Sequence, residues 1–454
     1  MAIFLGKRIL RFTIFIVFSL VLLLTLGSSH KPTHDYVSNV LPSSFDLSSH
    51  LNFGGFGGKL SPAAGSDAEE QRLAVEYKLE QGQEAADILE EGEIDEGAKA
   101  LKDAAESINK QLDLTKDVMS YIEPSFKNKG QRPKACFVTL VRNSEIGGML
   151  DSIEQIQLRF NNKYNYDWVF LNDEEFSEEF KGRVREALPK VNVKFGLIPV
   201  EHWSYPDYID QEKAAETREK MKDIIYGGSE SYRFMCHYQS GYFFRHPLLD
   251  EYDWYWRVEP NIKIHCNVDF DVFQWMQDHE KVYGFTISIH EYLSTIPTLW
   301  QTTKDFFDKH PEYVNSNNLV DFVSDDGGKT YNLCHFWSNF EVANLNLWRS
   351  PAYLEYFDYL DREGGFFYER WGDAPVHSLA VAFMLPKDKI HYFPEIGYYH
   401  IPYSNCPIDV NLRKTLTCDC SPEDDFTFKG YSCGVQYFNA QGLTKPANWK
   451  DYTD

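Results

Sequence analysis

The run Asp253-Trp254-Tyr255-Trp256-Arg257-Val258 stops abruptly at Glu259-Pro260, and that stop constrains the fold more than any other stretch. Three aromatics and a valine within six residues read as a buried strand. Proline has no N–H for a sheet ladder and restricts the residue before it. A carboxylate therefore stands where a buried strand ends. In open α/β sheets the ligand crevice lies at the carboxyl ends of the strands. Taken alone, Glu259 is also explained as an edge residue that solvates a strand tip.

Other segments repeat the pattern. Ala135–Val141 reads as a strand running into Arg142-Asn143, and Tyr166–Leu171 as a second ending at Asn172-Asp173. Residues 192–200 and 282–289 read as further strands, while 153–160 and 211–224 have helical spacing. Strands alternating with helical stretches predict an α/β fold with a mostly parallel sheet between helices. Arg142, Asn143, Asp173 and Glu259 would then share one sheet edge and form a crevice of converging polar groups. No G-x-G-x-x-G, P-loop or G-x-S-x-G motif occurs, so dinucleotide, P-loop and simple esterase sites are not indicated.

A net charge of −23 argues against a nucleic-acid partner, because phosphate binding needs clustered Lys and Arg. Eight cysteines, four of them after residue 405, suggest disulfides in an oxidising compartment. Cys136, inside an apolar strand, reads as a reduced core residue. Cys418-Asp419-Cys420 lacks zinc-ligand spacing. The sequence does not give the pairing.

Phe12–Leu26 is apolar and uncharged, preceded by Lys7, Arg8 and Arg11. The positive-inside rule predicts a cytosolic tail over 1–11, a signal anchor over 12–27 and a lumenal remainder; a cleaved signal peptide is the alternative. Residues 28–66 are rich in Ser, Pro, Gly and His, and 67–122 are acidic and helix-prone. A stem over 28–130 and one catalytic domain over 131–454 complete the expected plan.

Three more stretches carry candidate chemistry. Glu341 lies among Phe336, Trp337, Asn339 and Phe340, a mixture that suits the apolar faces and hydroxyl rims of sugars. A half-buried glutamate paired with Arg349 explains it as well. Asp373, just before Pro375, is a plausible helix cap or a grip on sugar hydroxyls, and His377 reads as packed and hydrogen-bonded. His400 follows a short apolar strand; it gains interest only if Glu259 and a diphosphate reach the same divalent ion.

YGGSESYRFMCHYQSGYFFRHPLLDEYDWYWRVEP, YGFTISIHEYLSTIPTLW, CHFWSNFEVA and FYERWGDAPVHS together resemble the fungal α-1,2-mannosyltransferases, glycosyltransferase family 15. The similarity runs from about Pro133 to the C-terminus. It implies a GT-A-like fold, GDP-mannose as donor, Mn²⁺ as cofactor, retention of anomeric configuration and a type II anchor in the Golgi membrane. Carried over by position, Glu259 and His400 are the metal ligands and Glu341 is the nucleophile or the carboxylate below the anomeric carbon. Tyr232 stands at the donor–acceptor junction. Arg142 and Asn143 serve the nucleotide and Asp373 the donor mannose. Trp337 and Trp371 serve the acceptor sugar, a mannose-terminated glycan on a glycoprotein. Asn261 departs from the Gly or Asp usual after Glu-Pro. The run Cys266–Asp271 also departs, with Asn267 and Phe270 in the family's CDxxYD-like texture. No Asn-x-Ser/Thr site occurs, compatible with an enzyme that acts on glycans without carrying N-linked ones. Transfer of mannose phosphate or another linkage, a mannan-binding lectin and a glycoside hydrolase using Glu259 and Glu341 are the rival readings.

Overall fold

The computed structural model describes residues 118–453. The expected tail, the anchor and most of the stem lie outside these residues. Twelve strands are present in the described part: β1 Ala135–Leu140, β2 Asp167–Asn172, β3 Val193–Leu197, β4 Trp254–Arg257, β5 Lys263–Ile264, β6 Tyr283–Phe285, β7 Ser288–His290, β8 Cys334–Phe336, β9 Glu341–Asn344, β10 Ile390–Tyr392, β11 Tyr398–His400 and β12 Tyr403–Ser404. Seven form the central sheet, in the order β10-β6-β9-β4-β1-β2-β3. The pairs of β1 with β2 and β4, β2 with β3, and β6 with β10 are parallel. Only β9 runs against its neighbours β4 and β6. The sheet is mixed, and mostly parallel as its sequence predicted.

Every residue of β4 and β9 is buried, as are all but one in β1 and in β2. Burial on both faces is what near-continuous apolar strands require. The aromatics of the strands pack on one another: Phe137 of β1 stacks on Trp168 of β2 with centroids 4.7 Å apart, and lies 5.5 Å from Trp256 of β4. Each such side chain contributes roughly 1.5–3 kcal/mol by leaving water.

Local signals end the helices where the sequence places them. Helix α1 (Glu230–Gly241) is capped by Ser229, whose oxygen accepts from the Tyr232 N–H. Helix α2 (Pro351–Glu363) has Ser350 as cap and proline in its first turn, and stops at Gly364 with φ +72°. That conformation is one glycine adopts freely. Helix α3 (Asp373–Met384) is buried along nearly its whole length.

Two expectations need correction. The run 282–289 is not one strand: β6 joins the central sheet, while β7 pairs with β8 in a separate two-stranded sheet. The globular body also begins before residue 131. The helix Val118–Phe126 buries Val118, Met119, Ile122 and Phe126, and its Ser125 Oγ accepts from Asn344 Nδ2 at 2.6 Å. An apolar face that packs on the core belongs to the domain, whatever the acidic texture before it.

Candidate active site

Asn172 ends β2, Arg142, Asp173 and Glu259 follow the parallel strands β1, β2 and β4, and all four line one cleft of about 800 Å³. Antiparallel β9 contributes to the same edge from its opposite end. Its first residue, Glu341, is in register with Arg257, the last residue of β4.

His400 reaches this edge by a different route. The chain turns at Pro260-Asn261, where Asn261 takes φ +64°. Asparagine tolerates that left-handed conformation, so the departure from Gly or Asp is accommodated. Strand β5 follows at once and pairs antiparallel with β11, whose last residue is His400. The disulfide Cys266–Cys418 lies just beyond β5. Gly397, with φ +64°, packs where a Cβ would fall 2.5 Å from the Cys266 sulfur. His400 Nε2 then lies 3.2 Å from Glu259 Oε2. Both side chains keep an open edge, 21% and 27% exposed.

The other oxygen of Glu259 accepts from Arg257 at 2.6 Å. The second terminal nitrogen of Arg257 donates to Asp373 at 2.5 Å and to Ser338 Oγ at 3.3 Å. Ser338 in turn donates to Asp373 at 2.7 Å. Burial would push Glu259 up, but the charges of Arg257 and His400 outweigh it and hold the carboxyl down at about 2. Burial also opposes ionisation of Asp373, and Arg257 and His377 overcome it, so this carboxyl is lowered too. Burial lowers His400, and the hydrogen bond and charge of Glu259 overcome that and raise it. Glu259 and Asp373 are therefore both anions at neutral pH, held by one buried guanidinium.

Asp373 does not cap its helix. Gly372 occupies the cap position, and the Asp373 carboxylate turns inward to Arg257. Tyr232, on α1, lines the cleft, and its hydroxyl accepts from Arg370 at 3.2 Å. Trp337 lines it too, edge-on to His400 with centroids 5.3 Å apart.

Three expected site residues are not at the cleft surface. Glu341 is 1% exposed and lies beneath it; Tyr255 and Tyr283 donate to its oxygens, and His377 Nδ1 lies 3.0 Å away. An attacking carboxylate needs open access to the anomeric carbon, and this one is enclosed by its partners. Arg349 is not its counter-ion, since that guanidinium donates to the carbonyls of Phe244, Leu249 and Tyr252. The hydrolase pairing of Glu259 with Glu341 lacks its second accessible carboxylate for the same reason. Asn143 spends its side chain on the loop after β2, donating to the Glu175 carbonyl at 3.0 Å and accepting from the Ser177 N–H at 2.9 Å. Trp371 is 1% exposed, packs on Gly365 and donates to Glu369 at 2.6 Å. His377 is packed as expected, stacked on Trp348 at 4.2 Å.

The sequence reading missed Arg257, Ser338, Arg370 and Asn172. A signal for Arg257 was present, because an arginine inside an aromatic strand must find carboxylates. Four buried polar atoms of cleft-lining residues have no partner among the described residues: Asn172 Nδ2, Arg257 Nε, Asn339 Oδ1 and Arg370 Nε. Such atoms mark where a polar ligand or solvent completes the bonding.

The pair Glu259 and His400 fits a divalent cation in donor chemistry, one carboxylate and one imidazole with open edges on a cleft. The cluster His290, Cys334 and Cys433 does not, because its cysteines are joined to each other. The other disulfide is Cys406–Cys420, while Cys136 and Cys236 are buried thiols.

Residues 89–442 match the model of the glycolipid 2-alpha-mannosyltransferase family. The whole chain is 58% identical to the Saccharomyces cerevisiae glycolipid 2-alpha-mannosyltransferase over 456 residues, covering 100% of both. Among solved structures, the S. cerevisiae mannosyltransferase Ktr4p in complex with GDP is 37% identical, with TM-score 0.65 over 71% of this chain and 84% of that one. Core-mannan synthase A of Aspergillus fumigatus, in a Mn/GDP form, is 38% identical, with TM-score 0.64 over 70% and 89%.

Proposed function

The chain belongs to the glycolipid 2-alpha-mannosyltransferase family and is a glycosyltransferase, and on that premise we propose that it transfers mannose from GDP-mannose, with retention, to O2 of a terminal mannose on a protein-linked glycan. The meeting of Glu259 with His400, 3.2 Å apart beside Arg257 and Asp373, carries the reading. It gives one place where a diphosphate and a sugar hydroxyl both find partners. The GDP in the Ktr4p structure and the Mn/GDP form of the Aspergillus synthase support the donor and the ion.

Glu259 and His400 would hold the Mn²⁺. A cation held there supplies Lewis-acid stabilisation of the charge on departing GDP. The protein's own groups do the rest. Asp373, fixed by Arg257 and Ser338, accepts hydrogen bonds from the hydroxyls of the donor mannose. Arg142, at the end of β1, faces the nucleotide. Arg257 and Arg370 place positive charge along the cleft where negative charge develops.

With Glu341 enclosed, the same-face route is the one the geometry favours. The bond from the anomeric carbon to the phosphate oxygen breaks, and GDP keeps the electron pair. The acceptor O2 forms the new bond on the same face, and its proton passes to the departing phosphate. Tyr232, at the junction, orients the incoming hydroxyl.

The N-terminal apolar segment and the disulfides support a type II Golgi placement with a lumenal catalytic domain. The test is to incubate the full chain with GDP-mannose, Mn²⁺ and methyl α-mannoside and determine the product linkage. An α-1,2-linked dimannoside is expected. A phosphodiester product, another linkage, or mannose released from mannan would overturn the proposal.

A further inference from the structure

The cleft changes character between floor and mouth. The floor carries the charged cluster of Arg257, Glu259 and Asp373. The mouth carries apolar side chains that water does not favour. Twelve large hydrophobic side chains are exposed among the described residues, and five of them, Ile225, Tyr226, Tyr292, Ile401 and Tyr431, line this cleft. Scattered exposed apolar residues need no explanation, but a concentration at one opening points to a binding surface.

Three of the five are tyrosines from three separate segments. Tyr226 is 57% exposed and stacks on Tyr232, with centroids 4.5 Å apart and ring planes 9° apart. Its φ is +57°, a left-handed backbone that is costly for an aromatic residue and concentrated at functional sites. Tyr292 and Tyr431 are 50% and 37% exposed, with ring centroids 6.2 Å apart. The aromatic lining continues inward. Tyr403, which also lines the cleft, lies 5.7 Å from Trp337, itself against His400.

Covalent connection supplies the occupant. If the terminal mannose of an acceptor lies at the floor, the sugars linked to it must pass through the mouth. A pyranose offers an apolar C–H face and a hydroxyl rim. A tyrosine offers a flat apolar ring with a polar tip and few torsions to freeze. We propose that Tyr226, Tyr292 and Tyr431 form a subsite for the second and third residues of an α-linked oligomannose acceptor, so that the enzyme selects acceptor length. This rests on the mannosyltransferase reading above.

The experiment measures kcat/KM of the full chain with GDP-mannose and Mn²⁺ on four acceptors: methyl α-mannoside, α-1,2-mannobiose, α-1,2-mannotriose and a peptide bearing one O-linked mannose. Wild-type protein is expected to favour mannotriose over methyl α-mannoside. Tyr292→Ala and Tyr431→Ala should each shrink that preference about two- to tenfold, the span expected for one aromatic contact. The change should fall on the acceptor KM and not on the KM for GDP-mannose. Tyr→Phe at the same positions should keep most of the preference, because the ring remains. A wild-type enzyme indifferent to acceptor length overturns the subsite, as do alanine variants that slow all acceptors equally. A loss confined to the mannosyl peptide assigns the mouth to polypeptide and also overturns it. Wild-type transfer to methyl α-mannoside is the separate control: its absence sinks the mannosyltransferase reading itself.

Discussion

Arg257 and Asp373 form an ion pair at 2.5 Å in which the arginine side chain is 8% exposed and the aspartate 6%. Neither residue explains the other in sequence. One ends a central strand, and the other opens a helix more than a hundred residues later. Their pairing fixes the Asp373 carboxylate relative to that of Glu259, because the same guanidinium holds both.

Removing the arginine should therefore cost both stability and activity. Arg257→Met leaves two carboxylates without their counter-charge, and breaking a buried pair costs about 3–5 kcal/mol. The double variant Arg257→Met with Asp373→Asn should recover part of that stability in denaturant melts but none of the transfer activity. Full additivity of the two single changes would show that the residues do not act together.

His400→Ala should leave the fold intact, since the ring packs at the edge of the cleft, and should weaken metal use. We expect the Mn²⁺ concentration for half-maximal transfer to rise at least about tenfold. The Mn²⁺-induced rise in melting temperature should shrink in parallel. Superimposable titrations of wild type and variant would remove His400 from the metal site.

Glu341 should behave as a support and not as a nucleophile. Glu341→Ala leaves the Tyr255 and Tyr283 hydroxyls and His377 without their acceptor, at about 1–3 kcal/mol for each buried group left unsatisfied. Activity should fall together with thermal stability. A 2-fluoromannosyl donor should leave no adduct on the peptide containing Glu341 by mass spectrometry. A mannosyl ester on that residue would restore the covalent route.

The domain should also carry a defined acid sensitivity. Burial, with Lys281 and His279 nearby, depresses His391 to about 3, against an ordinary histidine near 6.5. The unfolded chain then binds a proton that the folded chain refuses between these values. The stability from this site is complete above pH 6.5 and is lost as pH falls toward 3. His391→Gln should flatten the fall of melting temperature between pH 6.5 and 4; an unchanged slope would show that another group governs it.

Much of this was legible along the chain. The strands before Arg142, Asn172 and Glu259 were readable because aromatic and β-branched runs end at polar residues or proline. Cys136 was readable as a core thiol from its apolar strand. Strand β9 was less so, because four residues, Glu341 to Asn344, give no period. Its antiparallel direction, which brings Glu341 under the cleft, has no local signature. Asn143 and Trp371 misled for a common reason. Their types suit a ligand, but the side chain's direction depends on neighbours distant in sequence.

What the sequence determined by itself was the main parallel strands and the edge where chemistry collects, because periodicity, proline and glycine act through local backbone geometry. Which carboxylates face that edge was decided only by the tertiary structure. Burial, counter-ions and hydrogen bonds come from contacts such as those of Arg257 with Asp373 and of Glu341 with Tyr283 and His377. Whether a carboxylate can meet a substrate depends on those contacts, and linear order does not encode them.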